Sequence, residues 1–269
     1  GIQGLAAPVE YGGSKEKIEL LPATLAMEAF GYGSKDNGLP LALNAQMWTV
    51  QHPIAVFGTD FQKEKFLKPM ARGEAIACHC LTEVNAGSDV FNMETTAKKV
   101  DGGYILQGSK RYITLGPIVD FALVFAVTNP KVGKWGISAF IVEYGMPGFE
   151  RGPNRPKMGL RTVPFGDLSF DDCFVPEENR LGKEGAGMAI AIASLENDRC
   201  FIMAGQLGAM ERQLDESIAF VKSRKQFGKS VGDFQSVSNR IANMKLRLET
   251  SRLLLYKLAW LKSQGKSAI

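Results

Sequence analysis

A chain of 269 residues, 45% apolar and 22% charged, has material for a large core or for more than one, since single cores stop growing near about 250–300 residues. A net charge of +4 with no basic block interleaved with aromatics argues against nucleic acid as a partner. No window approaches the roughly 18 consecutive apolar residues of a membrane span, and the opening GIQGLAAPVE shows no targeting pattern.

Residues 20–70 read as helices. In LLPATLAMEAF and NAQMWTVQHPIAVFG the apolar residues recur three and four apart, and Thr59 followed by Gln62 offers a helix start that ends near Gly73. From Cys78 to Pro176 the pattern turns to short β-like runs, with Asp101-Gly102-Gly103 as a hairpin signal, which predicts a small antiparallel barrel or sandwich. After GKEGAG the helical period returns in two stripes, Met203 to Val221 and Val237 to Ala259, predicting two long helices paired around KQFGKSVGDF. The expected regions are a helical one over 1–77, a β domain over 78–182 and a helical bundle over 183–269. Cys78, Cys80, Cys173 and Cys200 show no CxxC spacing, so reduced thiols in a bacterial cytoplasm or, second, a mitochondrial matrix are expected.

Several stretches could carry chemistry. GKEGAG has the wrong order for a dinucleotide-binding loop and reads as a turn entering a helix. Cys78-His79-Cys80 on a strand would put both sulfurs on one face and the imidazole on the other, so no metal site is expected. LTEVNAGSD, residues 81–89, offers backbone N–H groups and two hydroxyls with a glycine that lets a pyrophosphate approach; a plain Gly/Asn turn is the other reading. RYITLG places Tyr112 and Thr114 two apart, hence on one strand face, where a ring can stack and a hydroxyl reach a heteroatom. SRKQFGKSVGDFQ is a basic loop able to hold phosphates, or a solvated helix connection. SLENDR, residues 194–199, sets two carboxylates and a guanidinium into an otherwise apolar run.

Taken in order, VEYGG, LTEVNAGSD, GSKRYIT, GISAFIVE, MGLRTVPFGDLSFDD, VPEENRLG and SRKQFGK with its following FQ resemble the acyl-CoA dehydrogenase flavoprotein family along essentially the whole chain. The resemblance implies an α+β multidomain fold with an N-terminal helical domain, a middle β domain and a C-terminal helical bundle. That bundle would be incomplete here, because family members continue further; the chain reads as shortened at both ends. FAD is implied as cofactor, with His79, Cys80, Leu81 and Thr82 and the turn through Gly87 and Ser88 along its ring and pyrophosphate. Tyr112, Ile113 and Thr114 would lie against the ring, and Arg224, Lys225, Gln226, Phe227 and Gln235 would hold the phosphate and adenosine end of a neighbouring subunit's FAD in a homotetramer built as a dimer of dimers. Tyr112 stands where the family has Trp, Leu115 where it has Asn, and Val84 where it has Pro.

The implied reaction removes an α-proton from an acyl thioester and passes a β-hydrogen as hydride to flavin N5, with an electron-transfer flavoprotein or oxygen as final acceptor. In the isovaleryl-CoA branch of the family the base immediately precedes a characteristic Arg, which places it at Asp198 before Arg199. Helical geometry lets Glu196 and Arg199 pair along one face, with Asp198 about 200° round from Glu196. A buried network of all three is the alternative. Ser88, Glu196, Asn197 and Arg199 would border the thioester arm, and ENDRCFIMAGQLGAMERQL looks like the branch whose acyl or prolyl group rides on a carrier protein instead of CoA. A non-catalytic relative that binds a thioester or a partner is the second class of function.

Overall fold

The computed structural model describes residues 1–266, the side chain of Cys200 excepted. Helix α1 (Leu20–Gly33) buries Ala23, Met27, Glu28 and Gly31 as one stripe. Helix α2 (Gly38–Gln46) runs through a π-turn at Met47–Gln51 into α3 (His52–Phe57). Thr59 caps α4 (Asp60–Gln62): its Oγ1 accepts the Gln62 N–H at 3.2 Å, and Gln62 Oε1 accepts the Thr59 N–H at 3.1 Å. Helix α5 (Lys68–Arg72) stops at Gly73, whose φ of 78° is a left-handed conformation that glycine adopts without strain.

Eight strands follow in one sheet: β1 (Ala77–Cys80), β2 (Thr96–Val100), β3 (Gly103–Thr114), β4 (Phe121–Val127), β5 (Ile137–Glu143), β6 (Phe149–Arg151), β7 (Phe165–Pro176) and β8 (Arg180–Leu181). Their order is β6-β7-β3-β2-β4-β5-β8, with β1 added beside β4. Hairpin neighbours are antiparallel as expected, and Val100 pairs with Gly103 across the Asp101-Gly102 turn. The sheet is nevertheless mixed, a correction to the expected antiparallel one: β1 and β2 each pair parallel with β4. The long stretch between β1 and β4 makes this possible, because only a tight hairpin forces neighbouring strands to run oppositely.

Strand β4 is buried on both faces. Leu123 and Phe125 pack with the helices on one side, while Ala122 and Val124 join Tyr104, Leu106 and Phe140 on the other. The same alternation divides β1. Cys78 and Cys80 face the second core with their sulfurs 3.2 Å apart, and His79 packs against Phe125 on the helical side. Cys78, Cys80 and Cys173 are free and buried, and the expected thiol of Cys200 lies outside the described residues.

Helices α6 (Gly187–Phe201), α7 (Ala204–Ser223) and α8 (Gln235–Ser263) complete the chain. The apolar run from Gly187 is not one helix: it breaks between Phe201 and Ala204, which leaves Met203, expected in the buried stripe, more than half exposed. By its contacts the chain divides into two compact units, residues 1–18 with 41–199, and residues 19–40 with those from 200 onward.

In the second unit α1 and α7 meet backbone to backbone. A Cβ at Gly31 would fall 1.9 Å from the Gly205 carbonyl, and one at Gly208 would fall 1.9 Å from that of Glu28. Arg252 of α8 ties the helices together through Glu28 at 2.7 Å, Glu211 at 2.8 Å and Glu249 at 3.0 Å. Between α7 and α8 a two-residue turn, Phe227-Gly228, closes the short hairpin of β9 (Lys225–Gln226) and β10 (Lys229–Ser230). Both turn residues have positive φ, 52° and 77°, as the primed turn of a tight hairpin requires. No described helix is long and apolar enough to cross a membrane.

Candidate active site

Three pieces of the first unit converge: the exit of β1, the end of β3 and the last turns of α6. The β1 exit is held to β3 by the backbone, where the Arg111 N–H donates to the Thr82 carbonyl at 2.9 Å. A buried ion pair adds to this, with Lys110 Nζ 2.7 Å from Glu83 Oε1 and 3.3 Å from the Leu81 carbonyl. Glu83 also accepts the N–H groups of Glu94 and Thr95. Burial alone would raise the Glu83 carboxyl, but Lys110 and these hydrogen bonds outweigh it and hold the group below its usual range.

Beyond Glu83 the chain turns, closed by the Glu83 N–H on the Ala86 carbonyl, and exposes Gly87 and Ser88. A Cβ at Gly87 would meet nothing within 4 Å, so the backbone faces open space there. At the end of β3 the regular alternation fails. A bulge between Lys110 and Ile113 gives Tyr112 a φ of 61°, so the two-residue spacing of Tyr112 and Thr114 does not by itself fix a shared face. The Tyr112 N–H is held by Asp167 Oδ1 at 3.2 Å, and its half-exposed ring stacks on Phe165 at 5.9 Å with the Arg111 and Arg155 guanidinium groups nearby. A non-glycine residue at positive φ costs energy, and such strain clusters at functional sites.

Helix α6 meets β1 through Ser194. Its Oγ lies 2.8 Å from the Ala191 carbonyl, to which it donates, and 3.2 Å from His79 Nε2. With its one hydrogen spent on Ala191, Ser194 accepts from His79 Nε2–H. Burial, with the charge of Lys110 added, pushes the imidazole down to about 4, so it is neutral near pH 7. Asp198 stands one turn beyond Ser194, hence on the same helix face. Its Oδ1 is buried without a hydrogen-bond partner, and burial raises the carboxyl to about 6 against the opposing charge of Arg199.

Of the residues expected to border the thioester, Asn197 is buried with its amide 3.2 Å from both ring nitrogens of His52, Glu196 is half-buried and Arg199 is exposed. Periodicity picked out none of Ser194, His52 and the Glu83–Lys110 pair. The signal available was a Ser four residues before an Asp on a helix, and a Lys inside a strand otherwise facing the core. In the second unit Arg224, Lys225, Gln226, Phe227 and Gln235 are all exposed around the β9–β10 hairpin, with Phe227 set edge-on to Phe234. Among the described residues no cluster of His, Cys, Asp or Glu could hold a metal.

The donor chemistry fits a large aromatic, polyanionic cofactor: an unobstructed glycine turn, the Thr82, Ser88 and Thr114 hydroxyls, and a strained, half-exposed Tyr ring. Comparison with known proteins agrees with that chemistry. The family models for the acyl-CoA dehydrogenase N-terminal, middle and C-terminal domains match residues 1–74, 78–173 and 185–268. An L-prolyl-[peptidyl-carrier protein] dehydrogenase of Serratia sp. is 42% identical, over 96% of this chain and 67% of its own length. The crystal structure of the prolyl acyl carrier protein oxidase AnaB superposes with a TM-score of 0.96 at 44% identity, over all of this chain and 70% of AnaB. PigA with FAD and proline superposes with a TM-score of 0.94 at 42% identity, over 98% of this chain and 70% of PigA. The chain belongs to the acyl-CoA dehydrogenase family.

Proposed function

We propose that this protein is an FAD-dependent dehydrogenase that desaturates an acyl thioester, with a prolyl group on a carrier protein's phosphopantetheine as the favoured substrate. The observation that carries the chemistry is Asp198, a carboxyl with one buried, unpartnered oxygen on a helix fastened to the β1 exit. A thioester α-proton is weakly acidic, so its removal needs a base stronger than a solvated carboxylate, and desolvation supplies that strength. The raised value near 6 leaves Asp198 ionised at pH 7 while strengthening it as a base.

Asp198 takes the α-proton on its unpartnered Oδ1. FAD, when bound, supplies the acceptor for the β-hydrogen. Thr82, Gly87, Ser88 and Tyr112 to Thr114 would hold it, while Arg224 to Phe227 and Gln235 would reach the phosphate and adenosine end of a neighbouring subunit's FAD. Neutral His79 and Ser194 keep α6 seated without adding a charge that would neutralise the base. Because Asp is one methylene shorter than Glu, the α-carbon must sit closer to the α6 backbone than it would for a Glu base. The carrier-bound prolyl reading draws support from the relatives named above, and the acyl-CoA thioester is the alternative within the same chemistry.

The test is anaerobic mixing of the FAD-loaded protein with prolyl-carrier thioester while the flavin band is followed. Bleaching slows by about 10²–10⁴-fold in Asp198→Asn and persists in Glu196→Gln, and in wild type its rate climbs as pH rises through about 6. Normal bleaching in Asp198→Asn removes this carboxyl from the role. A wild-type protein that binds no flavin, or flavin that no thioester reduces, supports the non-catalytic class instead.

A further inference from the structure

One surface of the first unit has no part in the chemistry above. The β4–β5 connection, Pro130–Gly136, exposes Val132 by 48% and Trp135 by 64%, and the neighbouring turn at Val90–Asn92 exposes Phe91 by 49%. Lys134 joins the two, its Nζ lying 5.2 Å from the Trp135 ring and 6.0 Å from that of Phe91. This is a built loop. The Gly136 carbonyl accepts from Thr128 N at 2.7 Å, Asn129 N at 3.1 Å and Thr128 Oγ1 at 2.9 Å, and Asn129 Oδ1 accepts from Lys131 N at 3.1 Å. A stable protein rarely displays a fixed tryptophan to water, flanked by apolar side chains, without a partner for it.

The charges around the patch are positive on balance. Lys131, Lys134 and Lys183 are exposed beside it. Of the nearby carboxylates, Glu184 is offset by Lys99 and Arg180, while Asp89 accepts from the neutral Asn92 amide and keeps its charge, so three lysines face one uncompensated carboxylate. The patch also sits at the entrance to α6: a Cβ at Gly185 would fall 2.5 Å from the Trp135 carbonyl, and two residues later the helix begins. From Gly187 to Asp198 the helix advances about 16 Å at about 1.5 Å per residue, a span that a phosphopantetheine arm can bridge.

We propose that Phe91, Val132, Lys134 and Trp135, flanked by Lys131 and Lys183, are the docking surface for an acidic carrier protein whose phosphopantetheine arm then runs along α6 toward Asp198. The proposal rests on the carrier-bound reading of the substrate given above. Aromatic anchors supply the buried centre of the contact and the lysines steer an acidic partner to it, so binding weakens as salt rises.

The experiment titrates holo-carrier, bearing phosphopantetheine but no acyl group, into the FAD-loaded wild type, Trp135→Ala and Lys131→Glu/Lys134→Glu by calorimetry at low and high salt. It also compares flavin bleaching by prolyl-carrier with bleaching by prolyl-pantetheine. Both variants are expected to lose about tenfold or more in carrier affinity while prolyl-pantetheine bleaches them as it does wild type. The charge-reversed pair, altered only at exposed positions, stands if Trp135→Ala fails to fold. Variants that bind the carrier like wild type, or that lose both substrates equally, overturn the proposal. Patch-dependent carrier binding without bleaching upholds the surface and overturns the functional reading. A wild type that reduces its flavin with acyl-CoA and binds no carrier upholds the thioester dehydrogenation but overturns both the carrier-bound reading and the docking surface.

Discussion

Two ion pairs of nearly the same length separate the two units of this protein. Lys110 and Glu83 lie 2.7 Å apart with essentially no exposure, at the junction of β1 and β3, whereas Lys245 and Glu249 lie 2.6 Å apart along the solvated face of α8. Distance is therefore a poor guide to what a charge does. At the β1–β3 junction and on α6 the first unit desolvates Lys110, Glu83, His79 and Asp198, which makes their arrangement costly to disturb and shifts their proton affinity. In the second the helices are held by glycine-mediated backbone approach and by the Arg252 network, and the basic hairpin is left to water. Under the function proposed above, the first arrangement serves the thioester chemistry and the second is left exposed for a neighbouring subunit's ligand.

The contrast can be broken most severely at Lys110. Lys110→Met leaves Glu83 buried and unpaired and is expected to cost about 3–5 kcal/mol in urea unfolding, with much of the loss recovered when Glu83→Gln is added. Lys245→Met should move the same measurement by no more than about 0.5 kcal/mol. Equal losses at the two sites would erase the distinction.

The pH dependence of stability tests the desolvated face of α6. Asp198 rises from its usual 3.8 to about 6, so the folded protein holds this proton more tightly than the unfolded chain, and stability is lost as pH rises from about 4 to 6. His79 falls from 6.5 to about 4, so the unfolded chain takes a proton that the folded one refuses, and stability is lost as pH falls across nearly the same window. Each slope amounts to about 3 kcal/mol, and they oppose one another. Wild type should therefore unfold with little pH dependence between about pH 4 and 6 from these two groups. Asp198→Asn should become acid-labile there, and His79→Gln should gain stability as pH falls. Parallel profiles for both variants would show that the two groups are not buried together. The smallest effect belongs to the hairpin, where Phe227→Gly relieves a φ of 52° and should stabilise the second unit by about 1 kcal/mol, read as a shift in its unfolding midpoint.

Much of this was legible in the residues alone. The Thr59–Gln62 capping box, the stop at Gly73, the Asp101-Gly102 hairpin and the helical stripes follow from local rules that hold within a few residues. The division of Cys78, His79 and Cys80 between two faces of β1 follows from strand geometry, and the family motifs gave the fold in outline. What local rules could not supply were relations between residues far apart in the chain. The parallel pairing of β1 with β4, the Ser194–His79 bond across 115 positions and the Lys110–Glu83 pair exist only once separate segments are packed. The bulge at Tyr112 and the break at Met203 are tertiary decisions of the same kind, in which a regular period gives way to the shape of its surroundings. The residue order of SLENDR is enough to place a carboxyl beside a guanidinium on a helix. Only the folded chain decided that Asp198 would be left with a buried, unpartnered oxygen, because desolvation depends on everything packed around a group and not on its neighbours in the chain.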